Sequence, residues 1–143
     1  MDLYAIFYQN EKMKEMYDRN PDILFVDTTY CLNNIKYPAL AMVVQDENGQ
    51  SLPVCFIIIA YERNSLLDKF FKMFVQINEI YARKTIAIMI DKDQIEDDML
   101  SKNFPGASIL YCFWNVFKTL KKNYGNSSDE FQVLQRMMYS LTE

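Results

Sequence analysis

Two aspartates each close a short apolar run: Ile23-Leu-Phe-Val-Asp27 and Ile86-Ala-Ile-Met-Ile-Asp91. A run of that length between polar residues suits a strand buried on both faces. If the two strands are neighbours and parallel, both carboxylates arrive at one edge of the sheet. Two carboxylates held close repel each other unless a cation or a proton sits between them. Such a pair is the beginning of a divalent-metal site. Each acid also has a plainer reading: Asp27 as a strand-end cap for Thr28-Thr29, and Asp91 as the cap of a following helix. Asp93 is better placed than Asp91 as that cap. Asp93 and Glu96 read as cap and first-turn acids favoured by the helix dipole, with a ligand role for Asp93 left open.

Other chemistries are excluded by composition. The 143 residues contain no histidine, which removes Ser-His and Cys-His nucleophiles. Cys31, Cys55 and Cys112 are odd in number and widely spaced, so a disulfide framework is not expected and a reducing, intracellular setting fits. Without histidine or a Cys-x-x-Cys pair, the chain has no common structural zinc site. The net charge of −4 gives no general attraction to nucleic acid or to anionic membrane. Lys118, Lys121 and Lys122 could form a local basic patch, or simply a solvated helix end. No stretch of about 18 apolar residues exists, so no transmembrane helix is expected. The N-terminus lacks the basic flank and cleavage site of a signal peptide.

The elements that would position the acids follow from periodicity. Residues 1–20 form a lead-in: an apolar stretch that pairs at a sheet edge or starts a helix, then a polar helix over Glu11–Arg19 stopped by Asn20-Pro21. Strands are expected over Ile23–Cys31, Ala39–Gln45 and Pro53–Ala60, with turns at Asn33-Asn34 and Asp46-Glu-Asn-Gly49. Ser65-x-x-Asp68 resembles a capping box. Leu67, Phe70, Phe71, Phe74, Ile77 and Tyr81 then mark one amphipathic helix of about 17 residues. A strand over Thr85–Ile90, a short helix over Gln94–Asn103, a strand over Ser108–Tyr111 and a helix over Cys112–Asn123 come next. Ser127-x-x-Glu130 caps a last helix with Phe131, Leu134, Met138 and Leu141 on its apolar side. This order predicts an α/β (α+β), ribonuclease-H-like domain over residues 21–123, with five strands: three antiparallel, then two parallel. A right-handed crossover brings the acid-tipped strands together. Residues 124–143 form a separate C-terminal helix.

Several segments resemble a known family. Pro21-Asp-Ile-Leu-Phe-Val-Asp-Thr-Thr-Tyr30 is similar to the first acidic motif of Mutator-like transposases. Tyr37-Pro38-Ala-Leu40, Gln45-Asp-Glu-Asn-Gly49, Pro53-Val-Cys-Phe and Glu62 follow the same pattern. Asp91-Lys-Asp93-x-x-Glu96, Phe104-Pro-Gly-Ala-Ser108 and Tyr111-Cys112-Phe-Trp look like the variant in SWIM-type zinc-finger proteins, the group of zinc finger SWIM domain-containing proteins 1 and 3. The resemblance spans about residues 6–123 and rests on the order and spacing of the motifs. It implies a transposase core in which three acids hold two Mg²⁺ or Mn²⁺ ions for strand cleavage and transfer. Asp27 would be the first acid and Asp91 the second. It also implies a nuclear protein that meets DNA.

The chain departs from that pattern. Where the transposases have Cys-x-x-His, it has Cys112-Phe-Trp-Asn115. The third acid belongs beyond that motif, after a helical insertion that residues 124–143 would begin. Glu130 and Glu143 are poor substitutes for it. The zinc-binding SWIM segment does not occur in these residues. The expectation is therefore a domesticated, catalytically inactive core acting as a scaffold or interaction module. The alternatives are a metal-dependent nuclease completed by residues outside this chain, and a DNA-binding module without catalysis.

Overall fold

The computed structural model describes residues 5–29, 39–59, 64–91 and 97–112, with scattered positions between 118 and 136. The chain divides into two compact units, residues 1–110 and 111–143. In the second unit the described positions from Lys118 to Arg136 are helical and exposed. The expected helices there otherwise lie outside the described residues, as do the Asn33-Asn34 turn and Asp93, Glu96 and Asn115.

The first unit is built on a mixed sheet in the order β1-β4-β3-β2-β5-β6. Its strands are β1 (Ala5–Tyr8), β2 (Ile23–Thr29), β3 (Ala39–Gln45), β4 (Ser51–Ile59), β5 (Ala87–Ile90) and β6 (Ser108–Tyr111). The sheet has six strands, not the five expected. The additional one is β1, which pairs antiparallel with β4, Ala5 facing Ile59 and Tyr8 facing Phe56. Its four residues alternate half-buried and exposed, so Phe7 joins the core while Ile6 and Tyr8 face away. The strands β2, β3 and β4 form the expected antiparallel meander. Asp46 closes its β3–β4 turn by accepting from the backbone N–H of Asn48 and Gln50, with Gly49 at φ 75°.

One face of the sheet carries the core. Leu24, Val26, Met42, Val44, Ile57, Ile88 and Ile90 are fully or almost fully buried there. Against them lie Tyr17 from α1 (Glu11–Arg19), Phe71 and Phe74 from α2 (Asn64–Ile77), and Leu100 from α4 (Asp97–Asn103). Helix α1 starts where the sequence places it because Asn10 Oδ1 caps the N–H of Met13. Tyr17 packs on Phe74 at 5.3 Å and edge-on to Tyr81 at 6.0 Å.

The single long helix expected to reach Tyr81 is interrupted. α2 stops at Ile77 and a short α3 (Glu79–Ala82) follows. Asn78, buried between them, donates its side-chain amide to the Phe74 carbonyl and to Gln9 Oε1, and accepts from Gln9 Nε2. An asparagine that bonds locally competes with the helical ladder. Gln9 Nε2 also donates to the carbonyl of Val54. Val54 is the extra residue of a bulge at which Met42 faces Cys55 but Val43 faces Pro53. Gln9 thus satisfies a carbonyl at the point where the ladder shifts. Ser65 is not the cap of α2; it lies inside the first turn, and Asp68 instead holds Lys72 at 2.6 Å and Asn103 at 2.9 Å.

Candidate functional site

The crossover through α2 and α3 returns β5 beside β2, and the two strands run parallel. Ile23 faces Ala87, Leu24 faces Ile88, Phe25 faces Met89 and Val26 faces Ile90. The next residue along each strand is an acid. Asp27 sits within β2, also opposite Ala41 of β3, and Asp91 immediately follows β5. The pairing ends at Val26 and Ile90, where neighbouring strands lie about 4.8 Å apart, one residue before each acid.

Alternation sets the acids apart from the core. Leu24, Val26, Ile88 and Ile90 point into it, so Asp27 and Asp91 belong to the opposite face. Asp27 is exposed and Asp91 half-buried. The two residues singled out from sequence thus each follow the last paired residue of two adjoining parallel strands, Asp27 within β2 and Asp91 just past the C-terminal end of β5. In open α/β sheets that end is where ligands gather.

Two carboxylates so placed could seat one hard divalent cation, the remaining positions being filled by water. Mg²⁺ is commonly held by one or two protein carboxylates. Among the described residues no third histidine, cysteine, aspartate or glutamate completes a larger cluster. Cys112 is half-buried just beyond β6, and Cys55 is in the core, where burial pushes its thiol up to about 12.

Sequence reasoning missed the polar contacts that join the bases of the two strands. Thr85 is buried ahead of β5, and its hydroxyl donates to the carbonyl of Pro21 at 2.8 Å. The Tyr17 hydroxyl meets Thr85 Oγ1 at 2.6 Å. Burial, partly offset by Thr85, pushes the Tyr17 phenol up to about 12. Asp22 contributes its carbonyl to the N–H groups of both Ile86 and Ala87. A tyrosine on the apolar side of an otherwise polar helix was the available signal, because its hydroxyl needs a partner when buried.

Two surface cavities of about 520 and 510 Å³ lie elsewhere. The first is between α2–α3 and the segment Asn103–Pro105. The second is around Asp22, Ile23 and Asp46, at the other end of β2 from Asp27. No described helix is long and apolar enough to cross a membrane.

Comparison with known families agrees with this architecture. Residues 2–110 match the family described as zinc finger SWIM domain-containing protein 1/3, RNaseH-like domain. The match covers most of the chain and all of the first unit but its initial methionine. With a mixed sheet, flanking helices and the crossover between β4 and β5 all present, the chain belongs to the RNaseH-like domain family of zinc finger SWIM domain-containing proteins 1 and 3.

Proposed function

We propose that this domain is a domesticated transposase core of Mutator-like descent that no longer cleaves DNA and serves as a scaffold or interaction module. The observation carrying this reading is the pairing of β2 with β5. It supports Asp27 and Asp91 as an inherited acidic pair. Asn115 stands where the resemblance calls for histidine, and a neutral amide supplies neither a proton acceptor nor an imidazole ligand. The negative net charge adds no sequence-independent pull toward phosphate. A nuclear location belongs to the same reading.

The second reading keeps catalysis and is favoured by the position of Asp27, which is exposed beside a neighbouring acid. In it, Asp27 and Asp91 hold Mg²⁺ or Mn²⁺, and a third acid outside this chain completes the centre. The ion would then activate a water or a 3′-hydroxyl toward a phosphodiester.

Nicking of supercoiled plasmid in Mn²⁺, by the full-length protein and by its Asp27→Asn variant, separates the two, because the second reading takes its third acid from outside this chain. The scaffold reading expects equal, background nicking from both proteins. Mn²⁺-dependent nicking that disappears in Asp27→Asn would overturn it. Retention of a DNA duplex at low salt, lost at moderate salt, would instead indicate a DNA-binding module.

A further inference from the structure

The parallel register that sets Asp27 and Asp91 one residue past the paired Val26 and Ile90 is not specified by the apolar pattern of β5. Its core-facing positions are Ile88 and Ile90, and the preceding residue of the same parity is Ile86. All three are isoleucine. If β5 moved two residues along β2, Ile86 and Ile88 would occupy the places now held by Ile88 and Ile90. Ile86 is 63 % exposed and would gain burial as Ile90 lost it. The side-chain period of two forbids a one-residue slip, since that would turn the acids inward. It does not forbid a slip of two. In the slipped register Asp27 would face Met89, and Asp91 would face Thr29.

We infer that Thr85 and Tyr17 are the positioning residues that remove this degeneracy and thereby place the two aspartates side by side. Thr85 is the last residue before the isoleucine series, and its hydroxyl is fixed from two directions. It donates to the carbonyl of Pro21 at 2.8 Å, two residues ahead of β2, and it meets Tyr17 Oη at 2.6 Å. Tyr17 is fully buried and held by the rings of Phe74 and Tyr81. A two-residue slip would carry Thr85 roughly 6.6 Å away from both oxygens. It would leave buried polar groups without partners, and such groups are costly. The acids stand at one end of the strand pair, and the groups that set their register stand at the other.

Register can be read directly by cross-linking, whether or not a cation binds. The background replaces Cys31, Cys55 and Cys112 by alanine. Asp27→Cys with Asp91→Cys reports the native register, with neighbouring strands about 4.8 Å apart and within disulfide reach. Asp27→Cys with Met89→Cys reports the slipped register; in the native one these Cα atoms are roughly 8 Å apart, too far to bridge. Copper-phenanthroline oxidation of each pair, read by mass spectrometry, gives the ratio of native to slipped cross-link. We expect Thr85→Val to lower that ratio by about tenfold, the scale of one buried hydrogen bond. Tyr17→Phe should lower it in the same direction, and Thr85→Ser, which keeps the hydroxyl, should restore it. If Thr85→Val fails to fold, Tyr17→Phe carries the comparison, because Thr85 then keeps Pro21. An unchanged ratio in a variant that has lost stability would overturn the inference, since Thr85 and Tyr17 would then merely support the core.

Discussion

Val26 of β2 faces Ile90 of β5 across a parallel pairing, and the residue after each is an aspartate. Two like charges thus stand on neighbouring strands at the outer face of the sheet. Their mutual repulsion opposes folding unless a cation or salt relieves it. Asp27→Asn should therefore stabilise the metal-free protein by about 0.5 kcal/mol at low salt. The gain should shrink as salt is raised, and added Mn²⁺ should favour wild type instead. Thermal melts at two ionic strengths, with and without Mn²⁺, check this. A destabilised Asp27→Asn at low salt would show that Asp27 serves as a cap.

The Gln9–Asn78 pair ties the first strand to the break between α2 and α3. Asn78→Ala removes two part-buried bonds shared with Gln9 and a buried one to the Phe74 carbonyl. Urea titration should give a loss of about 1–3 kcal/mol. Gln9→Ala should cost less, because Gln9 is only half-buried, and the double variant should fall short of the sum of the two. Strict additivity would mean that the two amides do not act together.

Burial of Tyr17 has a pH signature. Its folded-state value of about 12 lies above the ordinary 10.0, so the native state holds the phenolic proton more tightly than the unfolded chain. This contribution is complete below pH 10 and is lost as pH rises toward 12. Cys55, raised from 9.0 to about 12, loses its contribution from pH 9 upward. Denaturant midpoints should fall steeply across that range. Tyr17→Phe should flatten the part above pH 10, and a variant with the same slope as wild type would contradict the assignment. At the acid end, Lys72, then Asn103, hold the Asp68 carboxyl below its usual range. Stability present above about pH 4 should decline as pH falls. Asp68→Asn should make that decline shallower.

Phe74 touches both Tyr17 and Phe104, at ring separations of 5.3 and 6.4 Å, and is fully buried. Phe74→Ala should cost about 3–5 kcal/mol and leave the domain marginally folded. Ile80, on α3 and 69 % exposed, offers the contrast: Ile80→Lys should stay within about 0.5 kcal/mol of wild type in the same urea titration.

Gly49 has a positive φ of 75°, and nothing lies within 4 Å of where its side chain would be. The penalty for Gly49→Ala is therefore one of backbone conformation alone, about 1 kcal/mol, and Gly49→Asn should cost less. Equal losses for the two variants would point to a contact elsewhere.

Much of this architecture was legible without coordinates. Helix α1 and strands β3 and β6 fall on the expected residues, because a polar helix stopped by Asn20-Pro21, a short continuous apolar run and a turn-bounded run are local signals. The acid-tipped runs announced two strands that do adjoin and run parallel. What local pattern could not convey was any partner distant in sequence. The sixth strand exists because β1 finds β4, more than forty residues away. The long helix breaks at Asn78 because Gln9, sixty-nine residues earlier, completes the amide's hydrogen bonds. The register of β5 escapes its own residues, since three isoleucines of one parity fit the core equally well in two positions. Hydrophobic burial is non-directional and chose the face, whereas directional hydrogen bonds, between Thr85 and Tyr17 and from Thr85 to the Pro21 carbonyl, chose the place along the strand.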